Sequence, residues 1–229
     1  MKLEEISLWY RYKTAIWNAG TPQANTVHNI MRVLRSIHFP DGLVYISTPI
    51  TSGKVLYEKG NQTKEMVCQN YSRGWKFFEK LKKRMKEPIL FPADLIPIHQ
   101  EWEQDHFMAL WLSIISEKTT KVAMNNFWEY ANGSVEEFVH VVQLRLGIPN
   151  HKKLIFFNTK ENEQEERKRM KNISVEDCEG KLISLSEGYE KIQKALIWIK
   201  KQGFESERIA KSLKLLEKTK EMLDGGFYQ

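Results

Sequence analysis

Cysteine is scarce in this chain: Cys68 and Cys178 are the only two in 229 residues. Two distant thiols exclude a disulfide scaffold and any cysteine-built metal motif. Long apolar runs are missing as well, and nothing approaches the ~18 residues a membrane span needs. The opening MKLEEISLWY carries early acids and no apolar stretch. It does not have the form of a secretory signal peptide, and a cytoplasmic location is expected. The histidines His28, His38, His99, His106, His140 and His151 show no HExxH or comparable spacing. A catalytic zinc site is therefore not expected. Walker, GxGxxG, GxSxG, kinase and cysteine–histidine signatures are all lacking, and there is no internal repeat.

What is present is a globular composition, 41% hydrophobic and 28% charged, with a net charge of +6 and a pI near 9.1. Excess positive charge favours phosphorylated ligands or nucleic acid. Here the basic residues are interspersed with acids and form no compact basic and aromatic stripe, so nucleic acid is not the expected partner. The length suffices for one substantial core with an appendage.

Short strands alternate with helical patterns. Leu43–Ser47, 89–91, 122–124 and 153–157 are short apolar runs bounded by turn residues. Helical periodicity is read over 26–37, 65–84 with a break near Gly74, 103–118, 134–146, 185–201 and 206–223. This alternation predicts an α/β fold with a three-layer, Rossmann-like or flavodoxin-like parallel sheet and additional terminal helices. Residues 1–40 read as an N-terminal arm and helix, with Trp9, Tyr10, Tyr12 and Trp17 needing something to pack on. Residues 41–158 read as the α/β domain. Residues 159–180 read as a charged linker, with a short strand or turn near 174–180, and 181–229 as a C-terminal helical hairpin. Exposed terminal helices make a homo-oligomer, a dimer, the expected assembly.

Ligands in open α/β sheets collect beyond the C-terminal ends of the strands. Three such ends are chemically suggestive: 47–53, 92–105 and 125–137. The first holds hydroxyls and a glycine suited to a phosphate or a ribose hydroxyl. The third runs from the strand at 122–124 through a polar turn into a helix opened by Glu136 and Glu137. In that first turn, helix-terminal N–H groups are expected to hold the Glu137 carboxylate ionised, with its neighbour facing solvent. The same two acids would also suit an ordinary helix start. Asp105 and His106 stand at the start of another helix, as an acid or base or as ordinary surface residues. Arg73 and Lys54 could meet a phosphate or simply be solvated.

Three segments, VYISTPITSG (44–53), PILFPA (88–93) and WEYANGSVEEFVHVVQLRLGIP (128–149), resemble the nucleoside 2-deoxyribosyltransferase superfamily, including its nucleotide N-glycosidase relatives. The likeness covers about residues 42–157. It implies that Glu137 is the nucleophile, that Gly133 takes the family's glycine position, and that Asp105 contacts or protonates sugar or base. Ser47, Thr51, Ser52, Gly53, Asn132 and Ser134 fall where relatives approach the nucleotide. Tyr45, Trp102, Phe127, Trp128 and Tyr130 could stack on a base. The implied activity is cleavage or transfer at the N-glycosidic bond of a nucleoside or nucleoside monophosphate, without a cofactor. The rival expectations are a non-enzymatic nucleotide-binding module and a nucleic-acid-binding accessory protein.

Overall fold

The computed structural model describes residues 7, 8, 12, 20–94, 102–148 and 160–224. In chain order the elements are α1 (Pro22–Ser36), β1 (Leu43–Ser47), α2 (Lys54–Lys59), α3 (Lys64–Lys82), β2 (Ile89–Leu90), α4 (Gln104–Lys118), β3 (Thr119–Met124), a 3-10 turn (Trp128–Tyr130), α5 (Asn132–Arg145), α6 (Lys160–Lys171), β4 (Ser174–Glu176), α7 (Leu185–Lys201) and α8 (Glu207–Asp224). The four strands form one parallel sheet in the order β2-β1-β3-β4, flanked by helices in a Rossmann-like arrangement.

β1 is buried along its whole length. Alternation along a strand sends its side chains to opposite faces. Leu43 and Tyr45 therefore join Val122 and Met124 in the larger core with α4 and α5, whereas Val44, Ile46 and Ala123 pack with Phe77, Leu81 and Phe91 on the α3 side. Both α4 and α5 are buried almost all round, which is why neither shows a single apolar stripe. The helix starts carry local signals. Thr21 and Thr63 accept from the backbone N–H groups of Ala24 and Met66, and Ser184 with Glu187 forms a capping box.

Two expectations change. The helix over 65–84 is continuous through Gly74, where a Cβ would stand 2.8 Å from the Phe91 ring. That glycine admits an aromatic against the helix rather than breaking it. The charged segment from 160 onward supplies α6 and the edge strand β4, which pairs in parallel with β3. Arg169 ties α6 inward by donating to the carbonyls of Ser116 and Thr119 at the end of α4. The strand read at 153–157 lies outside the described residues, as do most of 1–19 and all of 95–101.

The C-terminal helices share the main core. Ile192, Ile199, Ile209, Leu213 and Leu216 belong to the same buried cluster as Val135, Val139 and Val142 of α5. Gly188 of α7 meets Phe138 so closely that an added Cβ would lie 2.0 Å from the ring. Leu8 and Tyr12 are buried against this assembly, the Leu8 N–H donating to Gln143 Oε1 at 3.1 Å. Among the described residues no helix is long and apolar enough to cross a membrane.

Candidate functional site

The strand order places β1 beside β3 while their outgoing connections run to opposite sides. The crevice beyond the ends of these two strands is a topological switch point, where open α/β sheets take ligands. Asn125 closes it at the base. Its N–H donates to the Ser47 carbonyl at 2.9 Å, and its side-chain amide donates to Thr48 Oγ1 at 2.9 Å. Two cavities open here, and Thr48 and Pro49 line both.

The smaller cavity, about 120 Å³, lies on the α4/α5 side. All three loops singled out in the sequence reach it: Thr51 and Ser52 from the first, Pro92, Ala93 and Gln104 from the second, and Gly133, Ser134 and Glu137 from the third. Tyr45 joins them because its position in β1 faces α5. Its hydroxyl donates to Glu137 Oε1 at 2.5 Å. Met108, Phe107 and Trp111 of α4 form the apolar wall.

The electrostatics of Glu137 differ from the expectation. α5 begins at Asn132, so Glu137 lies beyond the first turn and its free N–H groups, and no acid occupies that turn. Burial dominates and pushes the carboxyl up to about 7. The nearby Ser47 hydroxyl and the Tyr45 hydroxyl pull the other way, and the charge of Glu136 adds to the rise. Ser47 Oγ is buried and close enough to favour the ionised carboxylate, but its geometry falls short of a hydrogen bond. Burial, and then the charge of Glu137, raise the Tyr45 phenol well above its ordinary range, so it stays a donor.

Glu136 does not face solvent. It is fully buried and held by Arg208 of α8, with Nε to Oε1 at 3.1 Å and Nη2 to Oε2 at 2.7 Å. The same guanidinium donates to the Tyr12 hydroxyl at 2.6 Å and lies 3.5 Å from Asp105. Partial burial works against the Arg208 charge, but the bonds to Glu136 outweigh it and raise its pKa. α8 is thus anchored on the flank of the helix that carries Glu137.

No protein-family profile, no characterised protein and no solved structure matches this chain.

The other candidates spread over distinct places. Asp105 is paired with Arg208 and does not line the cavity, whereas its neighbour Gln104 does. His106 Nδ1 accepts from the Glu103 N–H, a capping role. Asn132 Oδ1 accepts from the Ser206 hydroxyl of the C-terminal segment. Trp128 is buried against Phe138, and Trp102 packs on Phe107. Gly53 lines the second cavity.

That second, larger cavity lies on the α3 side and is lined by Lys54, Arg73, Lys76 and Lys80 among other residues. Sequence reasoning found Arg73 and Lys54 but missed Lys76 and Lys80. The signal was their spacing with Arg73 on one helix face. Cys178 lines the same wall and donates to Asn126 Oδ1. Burial raises its thiol pKa, which argues against a reactive thiolate. No cluster of three or more metal-ligating side chains occurs among the described residues.

Proposed function

We propose that this chain cleaves or transfers at the N-glycosidic bond of a nucleoside or nucleotide, with Glu137 as the carboxylate that meets the anomeric carbon. The observation that carries the proposal is a buried carboxylate in a cavity wall at the C-terminal edge of a parallel sheet, with no cation paired to it among the described residues. A carboxylate stripped of water gains most when positive charge develops beside it, as in an oxocarbenium-like transition state. Tyr45 holds Oε1 and leaves Oε2 for the sugar. The resemblance of 44–53, 88–93 and 128–149 to nucleoside 2-deoxyribosyltransferases supports the same chemistry. Asp105 stays in the scheme as the acid that orients or protonates the leaving base, which requires it to turn from Arg208. The flavodoxin-type layering and a homodimer belong to the proposal as well.

The test is incubation with deoxynucleosides and their monophosphates, with free base followed by chromatography. Glu137→Gln is expected to lower base release by about a thousandfold or more. In the wild type, release should rise as pH passes through about 7, because the nucleophile is the ionised form. Base release that survives Glu137→Gln overturns the nucleophile assignment.

A further inference from the structure

The larger cavity has features that a sugar-cleaving pocket alone does not explain. Its volume is about 420 Å³, within the range of small-molecule sites. Arg73, Lys76 and Lys80 stand at i, i+3 and i+7 on α3, a spacing that sets them on one face. Lys54, at the start of α2, lines the cavity as well. Against these four cations the lining holds one carboxylate, Glu179, leaving a formal +3. Glu179 is bound to Lys80 at 3.0 Å. Lys54 has Glu58 at 3.8 Å, and its ammonium lies 5.2 Å from the Phe127 ring and 5.3 Å from that of Trp198. Those rings position the charge without neutralising it. No described carboxylate pairs with Arg73 or Lys76. Like charges gathered around one concavity repel one another and concentrate anions there.

The walls are built rather than incidental. Asn70, one turn before Arg73, is buried and donates to the carbonyls of Ile50 and Ser52, both at 3.1 Å, which staples the β1–α2 loop to α3. Phe127 is the only non-glycine with positive φ among the described residues, at 62°, and its ring is 47% exposed in the cavity wall. Left-handed backbone at a phenylalanine persists only where the surroundings enforce it. Thr48 and Pro49 separate this cavity from the Glu137 pocket while lining both, so one ligand can reach across them.

We propose that the chamber between α3 and the ends of β1 and β3 binds the polyphosphate of a nucleoside di- or triphosphate whose sugar lies beside Glu137. The proposal rests on the glycosidic reading for the sugar end and on the four cations for the phosphate end. A free nucleoside leaves the cations unmatched, and a monophosphate matches only part of them.

Two measurements separate the ends. Binding of inorganic tripolyphosphate by calorimetry reads the chamber without any chemistry. It is expected in the wild type and, equally, in Glu137→Gln. The double change Arg73→Glu with Lys76→Glu should weaken it at least about tenfold, as should raising the salt from about 0.05 to 0.5 M. Both residues are exposed, and a matching circular dichroism spectrum and Tm confirm that the variant is folded. Base release should be faster from deoxynucleoside triphosphates than from nucleosides, with that advantage lost in the double variant. No tripolyphosphate binding by the wild type, or equal binding by the double variant, overturns the chamber assignment whatever the base-release result. The expected binding pattern without base release from any nucleotide supports the chamber and overturns the glycosidic reading.

Discussion

The two flanks of α5 treat neighbouring, chemically identical residues in opposite ways. Glu136 turns toward α8 and meets a guanidinium that forks onto both of its oxygens. Glu137 turns toward the sheet and meets a phenol and a cavity. Both are buried. The difference lies in the partner: a cation compensates the first charge, and among the described residues none compensates the second. Glu136 is thereby committed to holding the C-terminal helices. Glu137 is left high in free energy when ionised, the condition in which a developing positive charge gains most.

The sharpest way to break this comparison is to remove the cation. Arg208→Ala leaves Glu136 buried and alone, and one-sided loss of a buried pair costs about 3–5 kcal/mol. Urea unfolding should register a loss of that order, with the double change of Arg208 and Glu136 to leucine recovering most of it. A loss below about 1 kcal/mol would show that the pair does not anchor α8. Tyr12 and Asp105 also lose a partner, so the single change should sit at the upper end.

Next in size is the second carboxylate itself. A carboxyl raised from 4.5 to about 7 binds its proton more tightly when folded than when unfolded. The contribution of Glu137 to stability therefore falls as pH rises from about 4.5 to about 7, then levels off. At roughly 1.4 kcal/mol per pH unit, the loss is at most roughly 3 kcal/mol. Glu137→Gln abolishes this dependence while its amide oxygen still accepts from Tyr45. The variant should match the wild type near pH 4.5 and exceed it near pH 8. Parallel stability profiles for the two proteins would refute the uncompensated burial of Glu137.

Much of this was legible in the residues, and the illegible parts share a cause. Leu43–Ser47 stood out because a fully buried strand is an unbroken β-branched and aromatic run. The three strand-end loops could be ranked because the sheet rule says where ligands collect, and residues of all three line one cavity. The choice between strand and turn near 174–180 could not be made locally, because β4 is three residues long and its existence depends on pairing with β3. The fate of Glu136 depends on Arg208, 72 positions away, and that of Glu137 on Tyr45, 92 positions back. Local pattern placed both acids near a helix start. Only tertiary contact decided which one was compensated, and the helix start lies at Asn132, two residues before the 134 read from the pattern.

The smallest expected effect concerns Gly133, one turn before Glu137 on the same face of α5. Its backbone is helical, so alanine should favour the helix by up to about 1 kcal/mol. The new methyl would stand 3.4 Å from Met108 Sδ and 3.7 Å from Gln104 Nε2, tight but without serious overlap. Both neighbours line the Glu137 cavity, so the methyl occupies space that a sugar would need. Gly133→Ala should therefore raise Tm by a few degrees or leave it unchanged, while raising KM for base release and leaving tripolyphosphate binding in the other chamber untouched. An unchanged KM would mean that the sugar approaches Glu137 from elsewhere. A fall in tripolyphosphate affinity would mean that the two cavities are not separable at Pro49. A drop in Tm instead would locate the cost at Met108, where a flexible thioether has less room to yield than its 3.4 Å approach implies.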